Sequence, residues 1–475
     1  MIHDFADWLS PMLVKELRQG IRSRVLTSSL FILQGLLILN VIIAFSAQSE
    51  ADHQGVTAFF WMILSLPLLL ILPFSGLASV GGEIKNNTLE LIFLTRLNAW
   101  RIVIGKWIAI VVQSLLLAVT VLPYIALRYY LGGVNLLGDL KTIGSILLSS
   151  AVLSAIMIGF SPYQSKLVRI FMGLGFFGLL QTGGVMAAVF FGGGAGAFGV
   201  TRGSGLPDWW LIGGTAIFLP IFVFLMLGMA AARIAPLAEN HAGPRRLLAL
   251  LALLICGSIS LLARDADWLI VVGQIIVTPV CIAALSETIT PLSSWYRPFA
   301  KRGFSGKIAA RFFTPGWHTG AYFSLLVLLI LTAFWSATGW LARSHINQKK
   351  WLIISLVAYT ATLFLPATFT PNATRKRWLA YLFLLVGTGI FFFAATIIES
   401  ITHSQIQEAC VVFPPIAIFA GAFNNIDADA ERLTGWMALL AGASVISVLL
   451  RSKKPFREMK IRYAEAARPL PDHDS

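Results

Sequence analysis

The sequence predicts an all-α protein, a polytopic bundle of about twelve membrane-spanning helices with both termini in the cytoplasm. Three observations lead to this prediction. Hydrophobic residues make up 57% of the chain and charged residues only 12%, about half the charged fraction of soluble domains. The mean hydropathy is +0.79. Apolar runs such as 25–45 and 211–227 contain no ionised side chain, and a helix needs roughly 20 residues to cross the hydrocarbon layer.

The first predicted element, within residues 1–25, is an amphipathic helix that precedes the first span. Ser10 is expected to cap this helix and Pro11 to occupy its first position. At 100° per residue its leucines fall on one face and its basic residues on the other. The basic face comprises Lys15, Arg18 and Arg22. We therefore predict an interfacial helix whose basic side meets lipid headgroups or a cytosolic partner, the alternative being a helix that only anchors the first span.

The apolar runs give twelve candidate spans. They are residues 26–47, 56–80, 107–131, 143–160, 168–191, 209–232, 247–263, 268–290, 318–341, 351–370, 379–399 and 433–450. The apolar piece 410–423 contains two consecutive prolines and is either a thirteenth span or a re-entrant hairpin. Twelve spans place most Lys and Arg residues on the side of the two termini, which the positive-inside rule makes the cytoplasm. The basic loop at 342–350, on the outside, is the exception.

Ionisable residues give no sign of catalysis. The net charge of +14 does not indicate a nucleic-acid partner, because basic residues at span ends fix the topology. The three cysteines lie inside apolar runs and are predicted to be buried apolar residues. The charged residues closest to the spans are Arg128, Arg233, Glu287 and Glu399. All four lie near span ends, where we expect the side chains to reach the interface. We predict no catalytic residue, metal or cofactor in this chain.

The segment Gly303-Phe304-Ser305-Gly306-Lys307-Ile308 is the closest approach to a phosphate-binding loop. It lacks the earlier glycine of that motif and has Ile308 where a Ser or Thr would bind Mg²⁺. We therefore reject a nucleotide site in this chain.

The segment between the second and third spans mixes charged residues with hydrophobic ones that no span requires. Residues 81–97 have the sequence GGEIKNNTLELIFLTRL. Leu89, Ile92, Phe93 and Arg96 recur at helical spacing, so a short helix here would present an apolar surface beyond the membrane, as docking helices do. A helix packed on lipid is the alternative.

This segment resembles the coupling region of type-2 ABC transporter permeases, the membrane subunits of bacterial ABC exporters. The family pattern is a Glu, then Thr-Leu-Glu-Leu-Leu, then a Thr or Ser, and a Gly-Lys that opens the third span. The matching residues are Glu83, Thr88, Leu89, Glu90, Leu91, Thr95, Gly105 and Lys106. The helix at 11–18 is similar to the family's connector helix, and the Leu-Gly-Gly-Val sequence at 131–134 also fits. Two features depart from the family: Arg96 replaces its usual proline, and some 240 residues follow its six-span unit, which ends near 235.

The resemblance implies a permease that forms the translocation path in a bacterial inner membrane, with no enzyme activity of its own. A separate cytosolic ATPase would bind ATP and Mg²⁺. The implied ATPase-coupling residues are Glu83, Thr88, Leu89, Glu90, Ile92, Phe93, Thr95 and Arg96, and those of the connector helix are Lys15, Glu16, Arg18 and Arg22. Further implied partners are membrane lipids and a second copy of the permease or a related one.

The resemblance also implies a domain organisation. Residues 26–235 would form the six-span unit, with the coupling helix at about 83–97, and 451–475 a basic cytoplasmic tail. Residues 236–450 would form a second membrane region of about six spans, with a divergent second unit as one hypothesis. An ion-coupled secondary transporter and an integral-membrane lipid or glycosyl transferase remain the alternatives, and the lack of mid-span charges argues against both.

Overall fold

The computed structural model describes most of the chain, as twelve ranges. These are residues 11–46, 50–86, 98–131, 136–162, 208–236, 241–263, 273–288, 295–341, 346–370, 377–385, 387–388 and 430–466. Every regular element within these ranges is helical, which confirms the predicted all-α class.

The helices of the first part of the chain are mostly long. They are α1 (Pro11–Ile21), α2 (Arg24–Ser46), α3 (Glu50–Ser65), a π-helix (Leu66–Ile71), α4 (Leu72–Lys85), α5 (Ala99–Leu131), α6 (Leu136–Phe160) and α7 (Asp208–Ile234). Pro67 is the second residue of the π-helical segment, and Pro73 is the second residue of α4. Because proline has no N–H to donate, each removes one bond of the α-helical pattern, and α3, the π-helix and α4 form one interrupted helix.

The later part of the chain contains both long and short helices. They are α8 (Ala242–Ala263), α9 (Gln274–Ser286), α10 (Arg297–Ala300), α11 (Gly303–Phe313), α12 (Trp317–Leu341), α13 (Ile346–Phe369) and α14 (Ala430–Ala466). Residues 377–385 are also helical. Helix α14 continues 16 residues beyond the end of the predicted span at 450, even though Pro455 lies inside it. The basic segment that follows this span is therefore helical up to Ala466.

Eight helices in the described part of the chain are long and apolar enough to cross a membrane. They are Arg24–Ser46, Gly55–Lys85, Ala99–Tyr130, Leu136–Phe160, Ile217–Ile234, Ala242–Leu262, Trp317–Thr338 and Gly435–Ala466. The shorter apolar helices Ile276–Ser286 and Ile353–Phe369 coincide with two further predicted spans. These findings support a multi-pass membrane protein. The spans at 168–191 and most of 379–399, and the piece 410–423, lie outside the described residues. Twelve spans and cytoplasmic termini stay predictions.

The chain packs as two compact units. The first contains the described residues up to 162 together with Met226–Ala235, and the second contains those of Gly194–Leu225 and Pro236–Ser475. Helix α7 therefore contributes residues to both units. The functional meaning of each half stays a prediction.

In the first unit, α4 and the end of α6 approach each other very closely. The Ser161 hydroxyl oxygen accepts hydrogen bonds from the backbone N–H groups of Val80, at 3.0 Å, and Gly81, at 2.9 Å. A Cβ atom at Gly81 would lie 2.6 Å from the backbone oxygen of Ser161. Only glycine therefore fits at position 81 without moving one of the two backbones.

This contact predicts opposite effects at two adjacent glycines. We expect Gly81→Ala to lower the free energy of unfolding by roughly 1–3 kcal/mol, because the added methyl group overpacks a backbone contact. Gly82→Ala is the control, since a Cβ at Gly82 has no neighbour within 4 Å. In a helix that substitution is neutral or stabilising by about 0.5–1 kcal/mol. Denaturation in mixed micelles measures both variants, and equal stabilities would contradict the contact.

Arg128, near the end of α5, does not reach the interface as the sequence analysis expected. Its side chain is buried, forms an ion pair with Asp139 at 3.3 Å and donates a hydrogen bond to the Thr57 hydroxyl at 3.1 Å. The guanidinium carbon also lies 4.2 Å from the centre of the Phe60 ring. The expectation was wrong because Arg128 has an anionic and an aromatic partner inside the bundle.

Candidate functional site

Helix α1 lies against α5. It comprises Pro11–Ile21, and the predicted cap, Ser10, lies outside the described residues. Leu13 is buried, and a Cβ added at Gly20 would lie 1.9 Å from the side-chain amide nitrogen of Gln113 in α5. The predicted basic face, which is Lys15, Arg18 and Arg22, is exposed. The apolar side of α1 therefore packs on protein at Leu13 and Gly20, although Ile21 is 52% exposed, while its basic side is available to other molecules.

Helix α5 begins well before its apolar run. Ala99, Ile102 and Val103 are almost fully buried, with exposures of 1%, 0% and 0%. The first turns of α5 are thus part of the packed unit and carry Lys106 into it. Glu83 occupies the last turn of α4, on the other side of the connection between α4 and α5.

Three helices meet through charged side chains at this point. The Lys106 ammonium lies 2.9 Å from a Glu16 carboxylate oxygen and 3.0 Å from a Glu83 carboxylate oxygen. Lys15 approaches the same Glu83 oxygen at 3.8 Å. We refer to Glu16, Glu83, Lys106 and Lys15 as the charge cluster. It joins α1, the end of α4 and the beginning of α5.

Burial makes the partners of Lys106 necessary. Its side chain is only 4% exposed, and those of Glu16 and Glu83 are 15% and 13% exposed. An ammonium group in such surroundings is stable only if nearby anions replace its hydration. Two glutamates and two lysines compensate each other, so the charge cluster has no net charge. It can hold the three helices together without attracting an external ion.

The predicted coupling segment lies between two members of the charge cluster along the chain. Residues 87–97 are outside the described residues, and with them the predicted coupling residues other than Glu83. These are Thr88, Leu89, Glu90, Ile92, Phe93, Thr95 and Arg96. Glu83 precedes this segment by four positions and Lys106 follows it by nine. A displacement of the segment therefore acts on two helices that the charge cluster joins.

No family model, curated protein or solved structure matches this chain. The resemblance to ABC permeases therefore rests on the residues quoted for it. Any role of the charge cluster has to be argued from its own geometry.

The second unit contains a buried ionic network that the sequence analysis did not identify. Arg246, near the start of α8, is 0% exposed. Its guanidinium donates to a Glu287 carboxylate oxygen at 2.7 Å, and Arg245 donates to the other oxygen at 2.6 Å. Glu287 lies just after α9, near a span end as predicted, and its two arginine partners were not foreseen. We refer to Arg245, Arg246 and Glu287 as the arginine network.

The arginine network also fixes the connection between α11 and α12. Arg246 donates to the backbone oxygens of Phe312 at 2.7 Å and Thr314 at 2.9 Å, which are carbonyls at the end of α11. The Gly316 N–H donates to Glu287 at 2.9 Å. Gly316 has φ +132°, a conformation that glycine adopts far more readily than other residues. The network thus supplies a cation to the end of α11 and fixes the start of α12.

The described residues hold no group of three His, Cys, Asp or Glu side chains that could bind a metal ion. Cys256 and Cys281 are buried free thiols, as predicted, whereas Cys410 is outside the described residues. The expected lack of a cofactor stays a prediction.

Proposed function

We propose that this chain is the permease subunit of an ATP-driven, ABC-type exporter, and that residues 83–97 receive the motion of a separate ATPase. The observation that carries the proposal is the charge cluster. Lys106, which follows the coupling segment, pairs with Glu83 at the start of that segment and with Glu16 of α1. The same residue pattern carries the family resemblance, so one set of residues supports the proposal in two ways.

The geometry supports a simple route for the motion. A push on residues 87–97 moves the end of α4 and the beginning of α5 together, because Glu83 and Lys106 are paired. Glu16 adds α1 to the same moving body. The π-helix at Leu66–Ile71 interrupts the helix that carries Glu83 in its last turn, and π-helical turns commonly occur at functional sites and kinks. In this proposal the interrupted helix bends there as access alternates.

The proposal implies a separate ATPase, membrane lipids and a second permease as partners. The ATPase is a separate cytosolic subunit that binds ATP and Mg²⁺. The permease lies in the bacterial inner membrane among lipids and works with a second copy of itself or a related permease. The exposed basic side of α1, at Lys15, Arg18 and Arg22, supports a second contact with the ATPase or with lipid headgroups.

The experiment that tests the proposal places charges on the predicted docking surface. The double variant Leu89→Asp/Ile92→Asp should weaken ATPase binding by on the order of a hundredfold, because buried apolar anchors dominate such interfaces. Tagged chain is purified from the membranes of its own host. The co-purified ATPase and the rate of ATP hydrolysis are measured, and we expect both to be lost while the amount of inserted chain is unchanged.

A matched control uses an exposed apolar residue elsewhere. Ile461, in α14, is 60% exposed, and Ile461→Asp should leave binding and hydrolysis intact. An ATPase that co-purifies equally with the wild type and the double variant, and hydrolyses ATP at the same rate, contradicts the proposal.

The positions of the buried ion pairs favour this proposal over the ion-coupled transporter and the transferase. Arg128 lies three residues before the end of α5, and Asp139 is in the first turn of α6. Arg246 is in the second turn of α8, and Glu287 follows α9 directly. Such pairs at helix ends are typical of structural links, whereas ion relays require ionisable groups near the middle of a span.

A further inference from the structure

One face of α11 is fixed to protein. Gly306 and Ala310 are buried on this face. A Cβ at Gly306 would lie 1.9 Å from the backbone oxygen of Phe299 in α10, which shows how closely the two helices approach. Ala310 packs in a cluster with Tyr296 and Met459, and burial raises the pKa of the Tyr296 hydroxyl, which therefore stays neutral. Helix α11 is thus held in one orientation.

The opposite face of α11 is exposed. Phe304 is 80% exposed and Ile308 is 43% exposed. Lys307 and Arg311 are exposed on the same side. At 100° per residue, these four residues fall within an arc of about 100°. A fixed helix therefore presents one mixed face of two apolar and two basic side chains, which we call the α11 face.

The α11 face lies next to the end of a membrane-spanning helix. Only residues 314–316 separate α11 from α12, which is long and apolar enough to cross a membrane. Three residues reach at most about 11 Å, so the end of α11 is close to the membrane boundary. Arg246, which starts another candidate span, binds the same end of α11 through Phe312 and Thr314. Two independent connections therefore keep α11 at the level where spans begin.

The charge around α11 favours an anionic surface. Residues 295–316 contain no Asp or Glu. Their basic residues are Arg297, Lys301, Arg302, Lys307 and Arg311. The adjoining end of α14, which packs on α10 and α11, adds exposed Lys453, Lys454, Arg457 and Lys460. Clusters of this kind beside a span bind acidic phospholipid headgroups, and the apolar residues of such helices enter the acyl boundary.

We propose that the α11 face is an anchor for anionic phospholipids, with Phe304 and Ile308 inserted at the acyl boundary and Lys307 and Arg311 on the phosphates. This proposal does not depend on the ABC-type function. It goes beyond that function by assigning a lipid-binding surface to the second unit.

The test measures the membrane contact of residue 304 in the full chain. Phe304→Cys, made in a Cys410→Ser background, is labelled with an environment-sensitive fluorophore, because Cys256 and Cys281 are buried and Cys410 is not described. The protein is placed in nanodiscs of zwitterionic lipid, with or without phosphatidylglycerol, containing nitroxide-labelled lipid as quencher. We expect quenching in both, and about twofold more with the anionic lipid.

Charge variants decide whether the contact is local. Lys307→Gln/Arg311→Gln should remove the effect of the anionic lipid, whereas Arg18→Gln/Arg22→Gln, which deletes as much exposed charge on α1 in the first unit, should retain it. High salt should weaken the effect, because it screens exposed charges. If the label is not quenched by lipid in either nanodisc, the proposal is wrong. Equal loss of the anionic-lipid effect in both double variants also overturns the proposal. The proposal is likewise overturned if the label is shielded from solvent only when a cytosolic protein is added.

Discussion

Replacing Lys106 with methionine is expected to lower the free energy of unfolding by roughly 3–5 kcal/mol. The substitution leaves the carboxylates of Glu16 and Glu83 facing each other, both less than one-fifth exposed, without the cation that holds them. Removing one member of a buried ion pair destabilises a protein more than replacing both members with apolar residues, because an unpaired charge remains buried. Denaturation in mixed micelles, followed by tryptophan fluorescence, measures the change.

Lys15 supplies the matched control for Lys106. It belongs to the same charge cluster, but its side chain is 46% exposed and its ammonium lies 3.8 Å from Glu83. We expect Lys15→Met to change stability by less than about 1 kcal/mol, as for other exposed ion pairs. A double-mutant cycle between Lys106→Met and Glu83→Gln should give a coupling energy of roughly 0.5–3 kcal/mol. Zero coupling, or equal effects at the two lysines, would show that the charge cluster does not join the helices.

The second large effect is expected at Arg246. Arg246→Met removes the donors to Glu287, Phe312 and Thr314 at once, at a side chain that is 0% exposed. We expect a loss of stability of roughly 3–5 kcal/mol. Arg246→Lys should recover only part of it, because an ammonium group cannot reproduce the planar arrangement of guanidinium donors. Hydrogen exchange should increase most in the backbone amides at the end of α11 and the start of α12.

An exposed arginine provides the comparison for Arg246. Arg462 forms an ion pair with Glu465 at 3.1 Å, but these side chains are 48% and 43% exposed. We expect Arg462→Met to change stability by no more than about 1 kcal/mol. Wild-type stability and wild-type exchange in the Arg246→Met variant would be incompatible with the role assigned to the arginine network.

Most of the helices were predictable because membrane solvation leaves a strong pattern in the sequence. Apolar runs locate the spans, and the amphipathic pattern locates α1. The boundaries were less accurate. The third span was expected to begin at 107, yet α5 begins at Ala99, because Lys106 is buried by ion pairs that hydropathy does not register. Likewise α8 begins at Ala242 and not at 247, because Arg245 and Arg246 are paired inside the unit.

The two ionic clusters differ in how far the sequence reveals them. Glu16, Glu83 and Lys106 all belong to a recognisable pattern, although the distances between them could not be inferred from it. Arg246 and Glu287 are 41 positions apart, and only Glu287 was noted, as a charge near a span end. The sequence signal that was missed is an arginine pair at the start of one predicted span and a glutamate near the end of the next. Consecutive spans run antiparallel, so those two ends lie on the same side of the bundle.

Because of the π-helix at Leu66–Ile71, the number of residues in the interrupted helix matters for its geometry as much as their identity. A π-helical turn accommodates one more residue than an α-helical turn, so the deletion of a single residue there would restore regular α-helix. The residues beyond such a deletion would keep nearly their present orientation, because the π-helical turn absorbs the extra residue. A deletion within the regular α-helix between Leu72 and Glu83 would instead rotate everything beyond it by about 100° around the helix axis. Glu83 would then turn away from Lys106 without any change to either residue, so insertions and deletions in α4 are under the same constraint as the charged residues.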